Sequence, residues 1–221
     1  MTLTRRRSKK KNRRGMLATP IKFLLSCSNR LRTRFFTFLI SNLFSECKSG
    51  SRISPPFRFA NLQQVKIGRD VVINRDCWIG VVSDANDEES IKLTIGNGSA
   101  IGMGSTISAA SSITIEDDVL LARNVYISDH GHAFEDINRP IKAQGVTQPS
   151  PVRISRHTWL GQNVVVLPGV TIGEHCVIGA NAVVRDSIPG FSVAVGAPAR
   201  VVKRFNPTSG FWEKSCASRS L

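Results

Sequence analysis

The stretch WLGQNVVVLPGVTIGEHCVIGANAVV, Trp159 to Val184, keeps a beat of six. Large aliphatics stand at Leu160, Val166, Ile172, Ile178 and Val184, and the series reaches back to Ile154. Four places after each comes a residue that is mostly small: Thr158, Val164, Val170, Cys176, Ala182, then Ile188. Glycine follows the aliphatic at Gly161, Gly173 and Gly179. A helix has a period of 3.6 and an alternating strand a period of 2, so neither yields this pattern. A three-sided coil does. Each hexad is a short strand plus a corner, three hexads close one turn, and stacked turns build parallel sheets. The aliphatic points inward, and the glycine or small residue serves a corner that needs side-chain room or a positive φ.

The same beat runs through Ile67, Ile73 and Ile79, and through Ile95, Ile101, Ile107 and Ile113. It then slips by two residues and resumes at Ile115, Leu121 and Ile127. The reading is an all-β solenoid over residues 59–204. Two stretches interrupt it. One is the acidic SDANDEES, Ser83 to Ser90. The other, residues 129–151, separates Ile127 from Ile154 and opens with DHGH. A loop that long inside a compact domain is usually functional.

Charge divides the chain in two. Residues 1–58 carry 15 Lys/Arg and one acid, whereas residues 59–221 carry 15 of each, so the net +14 belongs to the N-terminal arm. A neutral body argues against a nucleic-acid binder. Hydrophobic residues make up 41% and aromatics only 7%, as expected of a narrow aliphatic core. Five dispersed cysteines, with no CxxC pair, read as reduced thiols of a cytosolic protein.

The arm joins RRRSKKKNRR to a segment in which Leu31, Phe35, Phe38, Leu39 and Leu43 recur at helical spacing. Its longest uncharged run, Phe35 to Ser45, is too short to span a bilayer. Three readings stay open: a peripheral contact with the inner membrane face, an organellar transit peptide, or a solvated tail with a helix capping the coil. Residues 205–221 read as a C-terminal tail.

With WLGQNVVVLPGVTIGEHCVIGANAVV, IPGFSVAVGAPARVVK (Ile188 to Lys203) and ISDHGH in place, the chain resembles the hexapeptide-repeat O-acetyltransferases. These include the maltose, galactoside and nodulation enzymes and those that acetylate O-antigen or capsule. The resemblance implies a left-handed parallel β-helix, although the general crossover rule favours the right hand. It further implies a homotrimer with acetyl-CoA as co-substrate and a saccharide acceptor. The expected activity is acetyl transfer to a sugar hydroxyl of a cell-surface polysaccharide or its precursor, in the cytoplasm.

The chemistry needs a base for the hydroxyl proton, and an imidazole, with an ordinary pKa of about 6.5, suits cytosolic pH. A thioester is already activated, so no covalent enzyme intermediate is required. His130 matches the family's histidine. Asp129 and Asp117 are candidates to orient it, and His132 lies one step further into the loop. On the donor side the resemblance assigns Trp159 and Gly161 to the track for pantetheine, Gln162 to a place where serine is common, and Ala180 to a small residue facing the thiol arm. Arg200 and Lys203 match cations near the phosphates. Arg185 and Asp186 replace the family's frequent Thr-Lys, and Arg185 is the candidate substitute. A zinc site would need three suitably placed histidines, which His157 and His175 do not evidently complete, so no metal is expected. Two other readings remain, N-acetylation of an amino sugar and a non-catalytic coil scaffold.

Overall fold

The computed structural model describes residues 28–82 and 90–215. The basic run near the start, the acidic loop at 83–89, Cys27 and Cys216 lie outside the described residues. Short strands follow one another around three parallel sheets, each sheet taking every third strand. This is the expected left-handed parallel β-helix.

Register places identical rungs on top of one another. The first sheet stacks Ile67, Ile95, Ile115, Ile154 and Ile172. The second stacks Ile73, Ile101, Leu121, Leu160 and Ile178. The third stacks Ile79, Ile107, Ile127, Val166 and Val184. All are buried, and each such side chain contributes about 2 kcal/mol relative to leaving it in water. The small-residue positions Thr158, Val164, Val170, Cys176 and Ala182 also face inward.

Outward positions differ between sheets. The first presents Lys66, Thr94, Thr114, Arg153 and Thr171. The second presents Val72, Ala100, Leu120, Trp159, Val177 and Val193. One face is polar and another largely apolar.

The corners correct part of the expectation. Positive φ falls on Gly98, Asp118, His157 and His175 at one corner and on Gly104, Asn124, Asn163 and Asn181 at the next, so some glycines of the repeat serve it as expected, but Gly161, Gly173 and Gly179 do not. Glycine has no Cβ to clash there, Asp, Asn and His are the side chains that best tolerate the left-handed region, and Asn124 and Asn163 each donate an amide N–H to the asparagine one coil on, at 3.2 and 3.0 Å. Gly161, Gly173 and Gly179 serve close approach instead. A Cβ on Gly161 would sit 2.7 Å from the backbone nitrogen of Ala180.

Among the described residues, four interruptions of the beat fall at one corner, between the third and first sheets: residues 61–64, the stretch between Val82 and Lys92, residues 110–112 and residues 129–151. The coil also starts earlier than residue 59. Glu46–Cys47, Arg52–Ile53 and Phe57–Ala60 already pair in the three sheets. Residues 205–214 are not a free tail either. Arg200–Asn206 and Phe211–Lys214 form an antiparallel hairpin that extends the second sheet. Residues 28–40 form helix α1, which caps the N-terminal end through Thr37 and Ile40, with Phe44 of the following turn buried beside them. The Thr37 hydroxyl accepts the Ile53 N–H at 2.8 Å, satisfying an edge that would otherwise be open. No helix among the described residues is long and apolar enough to cross a membrane.

Candidate active site

The last strand before the long loop, Tyr126–Ser128, ends where the backbone leaves the third sheet. The next side chain, Asp129, is fully buried. One coil earlier, at the same corner, lies the two-residue slip in the repeat. The slip bends Ala110–Ser112 into a cradle. Ala110 N–H donates to Asp129 Oδ1, and Ser111 and Ser112 N–H donate to Oδ2, each at 2.8 Å. A buried carboxylate is costly unless several donors meet it, and here three do.

The fourth contact is His130 Nδ1, 2.8 Å from Asp129 Oδ1. An ionised carboxylate only accepts, so Nδ1 carries the proton and Nε2 keeps its lone pair. The imidazole is 11% exposed. Ser128 Oγ donates to the His130 carbonyl at 2.8 Å and accepts the His130 N–H at 3.3 Å, which fixes the backbone beneath the ring.

Asp117 is not an orienting group. Its Oδ1 accepts the Asn97 backbone N–H at 2.7 Å, and both its oxygens face the Asn97 amide, on a corner between the first and second sheets. His132 is exposed and bridges Val146 within the loop. The loop is an internally bonded excursion. Gly131 and Thr147 exchange two hydrogen bonds at 2.9 Å, and Ser150 N–H donates to Asp129 O at 2.7 Å, closing its base. Its tip exposes Phe134, Ile137 and Ile141.

The donor-side candidates form separate groups. Trp159 and Lys203 share a groove of about 400 Å³ on the second sheet with His157, His175, Val193 and Trp212. His175 stacks on Phe191 and Trp212, with ring centroids 5.8 and 6.5 Å apart. Gly161 packs beneath Ala180 at the corner after that sheet, and Gln162 and Ala180 are exposed there. Arg185 and Arg200 are joined through Asp186, at 3.3 and 3.1 Å. The Arg-Asp pair that replaces Thr-Lys therefore partly neutralises its own cations. Among the described residues no group of three His, Cys, Asp or Glu is placed to hold a metal ion.

His130 and Trp159 do not meet within one chain. The corner between the third and first sheets lies across the prism from the second sheet. Sequence reasoning missed Ser128 and the Ala110–Ser112 cradle; the phase slip between Ile107 and Ile115 was the signal for the cradle.

Comparison with known proteins agrees with this organisation. The family described as bacterial transferase hexapeptide (six repeats) matches residues 151–186, and that described as hexapeptide repeat of succinyl-transferase matches residues 92–129. A probable acetyltransferase of Mycobacterium tuberculosis is 42% identical over 164 residues, covering 72% of this chain and 49% of that protein. A putative lipopolysaccharide biosynthesis O-acetyl transferase of Escherichia coli is 40% identical over 104 residues, covering 44% of this chain and 53% of the other. The chain thus spans about half the length of these two relatives. Galactoside O-acetyltransferase of Escherichia coli is 30% identical over 168 residues, covering 76% and 68%. A solved galactoside acetyltransferase in complex with coenzyme A superposes with a TM-score of 0.53 at 29% identity, covering 77% and 70%.

Proposed function

Because the chain belongs to the hexapeptide-repeat acetyltransferase family, we propose that it moves the acetyl group of acetyl-CoA to a hydroxyl of a cell-surface saccharide or its precursor. The observation that carries the reading is the Asp129–His130 pair held by the Ala110–Ser112 cradle. Nε2 accepts the acceptor's hydroxyl proton as that oxygen attacks the thioester carbonyl carbon. The imidazolium so formed faces a carboxylate that three backbone N–H groups prevent from turning away, so no reorganisation is needed when charge develops. Collapse of the tetrahedral intermediate breaks the C–S bond, and the imidazolium returns its proton to the departing sulfur. The ester and the free thiol of coenzyme A balance the step.

The donor runs along Trp159, Gly161, Gln162 and Ala180, with Arg185, Arg200 and Lys203 toward its phosphates. Since His130 and Trp159 lie on opposite sides of one prism, the site is completed by a neighbouring copy, and we take the assembly to be a homotrimer. The apolar outward ladder of the second sheet and the exposed apolar tip of the 129–151 loop support this. The similarity to a lipopolysaccharide O-acetyl transferase supports a surface saccharide as acceptor.

The test is a binding and turnover pair. Coenzyme A should bind in calorimetry, and acetyl-CoA should be consumed with a panel of nucleotide sugars, lipid-linked oligosaccharides or free polysaccharide. A folded chain that does not bind coenzyme A would be a scaffold, and transfer only to amino sugars would make it an N-acetyltransferase.

A further inference from the structure

Helix α1 caps the coil with one face only. At about 100° per residue, Thr33, Thr37 and Ile40 point toward the coil, and Thr37 and Ile40 are buried there. Directly opposite stand Leu31, Phe35 and Phe38, exposed by 68%, 65% and 75%, with Leu39 beside them at 56%. Two phenylalanines and two leucines in a continuous strip are far more apolar surface than a solvated helix presents, and nothing in the coil covers them.

Charge brackets the strip. Arg30 and Arg34 fall on one flank of the helix and Arg32 on the other, all three exposed. On the first flank, Arg30 and Arg34 converge with Arg52 of the coil around a groove of about 340 Å³ that also takes in Thr33 and Ser54. Between Met1 and Glu46 the sequence contains no acid, and residues 1–27 add nine Lys/Arg. An apolar strip flanked by arginines on both sides, on a helix without an acid, complements one kind of surface: an anionic lipid bilayer, acyl chains meeting the strip and head-group phosphates meeting the guanidinium groups.

We propose that the outward face of helix α1 docks this protein on an anionic membrane surface, with Phe35 and Phe38 entering the head-group boundary and Arg30, Arg32 and Arg34 pairing with lipid phosphates. The helix lies at the N-terminal end of the coil, so docking leaves the 129–151 loop and the Trp159 groove open to substrate.

The full chain is sedimented with vesicles of phosphatidylcholine alone and of phosphatidylcholine mixed with phosphatidylglycerol. The expected result is binding to the anionic vesicles, weakened by added salt, and about tenfold or more weaker for the F35S/F38S double variant. R30Q/R32Q/R34Q, which keeps the nine Lys/Arg of residues 1–27, should weaken binding to the phosphatidylglycerol vesicles several-fold, and binding equal to the parent's would remove these arginines from the contact. Both variants alter exposed side chains and should keep the parent's unfolding midpoint. The proposal falls if F35S/F38S sediments as the parent does, since the basic start of the chain would then suffice. It also falls if the parent binds neither vesicle, or if F35S/F38S only dissolves a higher assembly, which would make the strip a contact between copies.

Discussion

Asp129 Oδ1 lies 2.8 Å from His130 Nδ1, between neighbours in sequence, while the same carboxylate takes three N–H groups from the coil before. The carboxylate is thereby a structural joint between coils and, on the proposed mechanism, the partner of the base, and the two roles separate under substitution. Asp129→Asn keeps one acceptor oxygen but turns an amide N–H toward donors, releasing the imidazole from its tautomer. The rate of acetyl transfer should fall about a hundredfold, while acetyl-CoA binding in calorimetry stays within a few-fold. Asp129→Ala, which strands three donors, should in addition lower stability by about 3 kcal/mol.

His130→Ala removes the proposed base and leaves the cradle. The turnover number should drop by about 10²–10⁴ with coenzyme A affinity and unfolding midpoint close to the parent's. Unchanged transfer in a variant that still binds coenzyme A would remove His130 from the mechanism.

Trp159 tests the shared site. Sedimentation equilibrium should give three times the 24.2 kDa chain mass. Trp159→Ala should raise the KM for acetyl-CoA about tenfold with a smaller change in kcat, if the groove it shares with Lys203 takes the donor as proposed and has no part in moving the proton.

Close packing between coils predicts a stability loss at Gly173. A Cβ there runs into the backbone of Gly190, which cannot yield without separating two coils. Gly173→Ala should cost about 2 kcal/mol, read as a fall of about 4–8 °C in Tm.

The buried thiols predict a pH dependence. Burial pushes the Cys77 thiol from 9.0 up to about 11, and its Sγ–H donates to the Gly102 carbonyl at 3.2 Å. The folded chain therefore holds the neutral thiol after the unfolded chain has ionised. This stabilisation is complete below pH 9 and is lost as pH rises toward 11, by about 2–3 kcal/mol. Urea unfolding at pH 8 and pH 10.5 should show the loss, and Cys77→Ala should flatten it. Cys176, raised in the same direction by burial, contributes with the same sign.

The period of six was legible because every rung repeats the same local bargain: one aliphatic inward, one small residue after it, one corner. Ile154, Leu160 and Val166 declare it without any distant partner. The first turn of the coil was harder to read. Cys47, Ile53 and Phe59 keep the beat, but polar KSGS and SPP between them hide it, and Phe59 is exposed while Phe57 is buried. Helical spacing in the arm was visible as well, yet Leu31, Phe35 and Phe38 face outward, and the capping residues are Thr37, Ile40 and Phe44.

By itself the sequence settled what each hexad does: the coil, its aliphatic interior, the corner that carries the loop and the histidine at its mouth. Folding alone decided which groups meet across coils. Asp129 finds its donors 17 to 19 residues back, whereas Asp117, equally plausible by position, is taken by Asn97. The reason is one of range. A hexad's shape follows from its own six side chains, but a contact between coils depends on the phase accumulated over a full turn, and a slip of two residues decides which carboxylate reaches the imidazole.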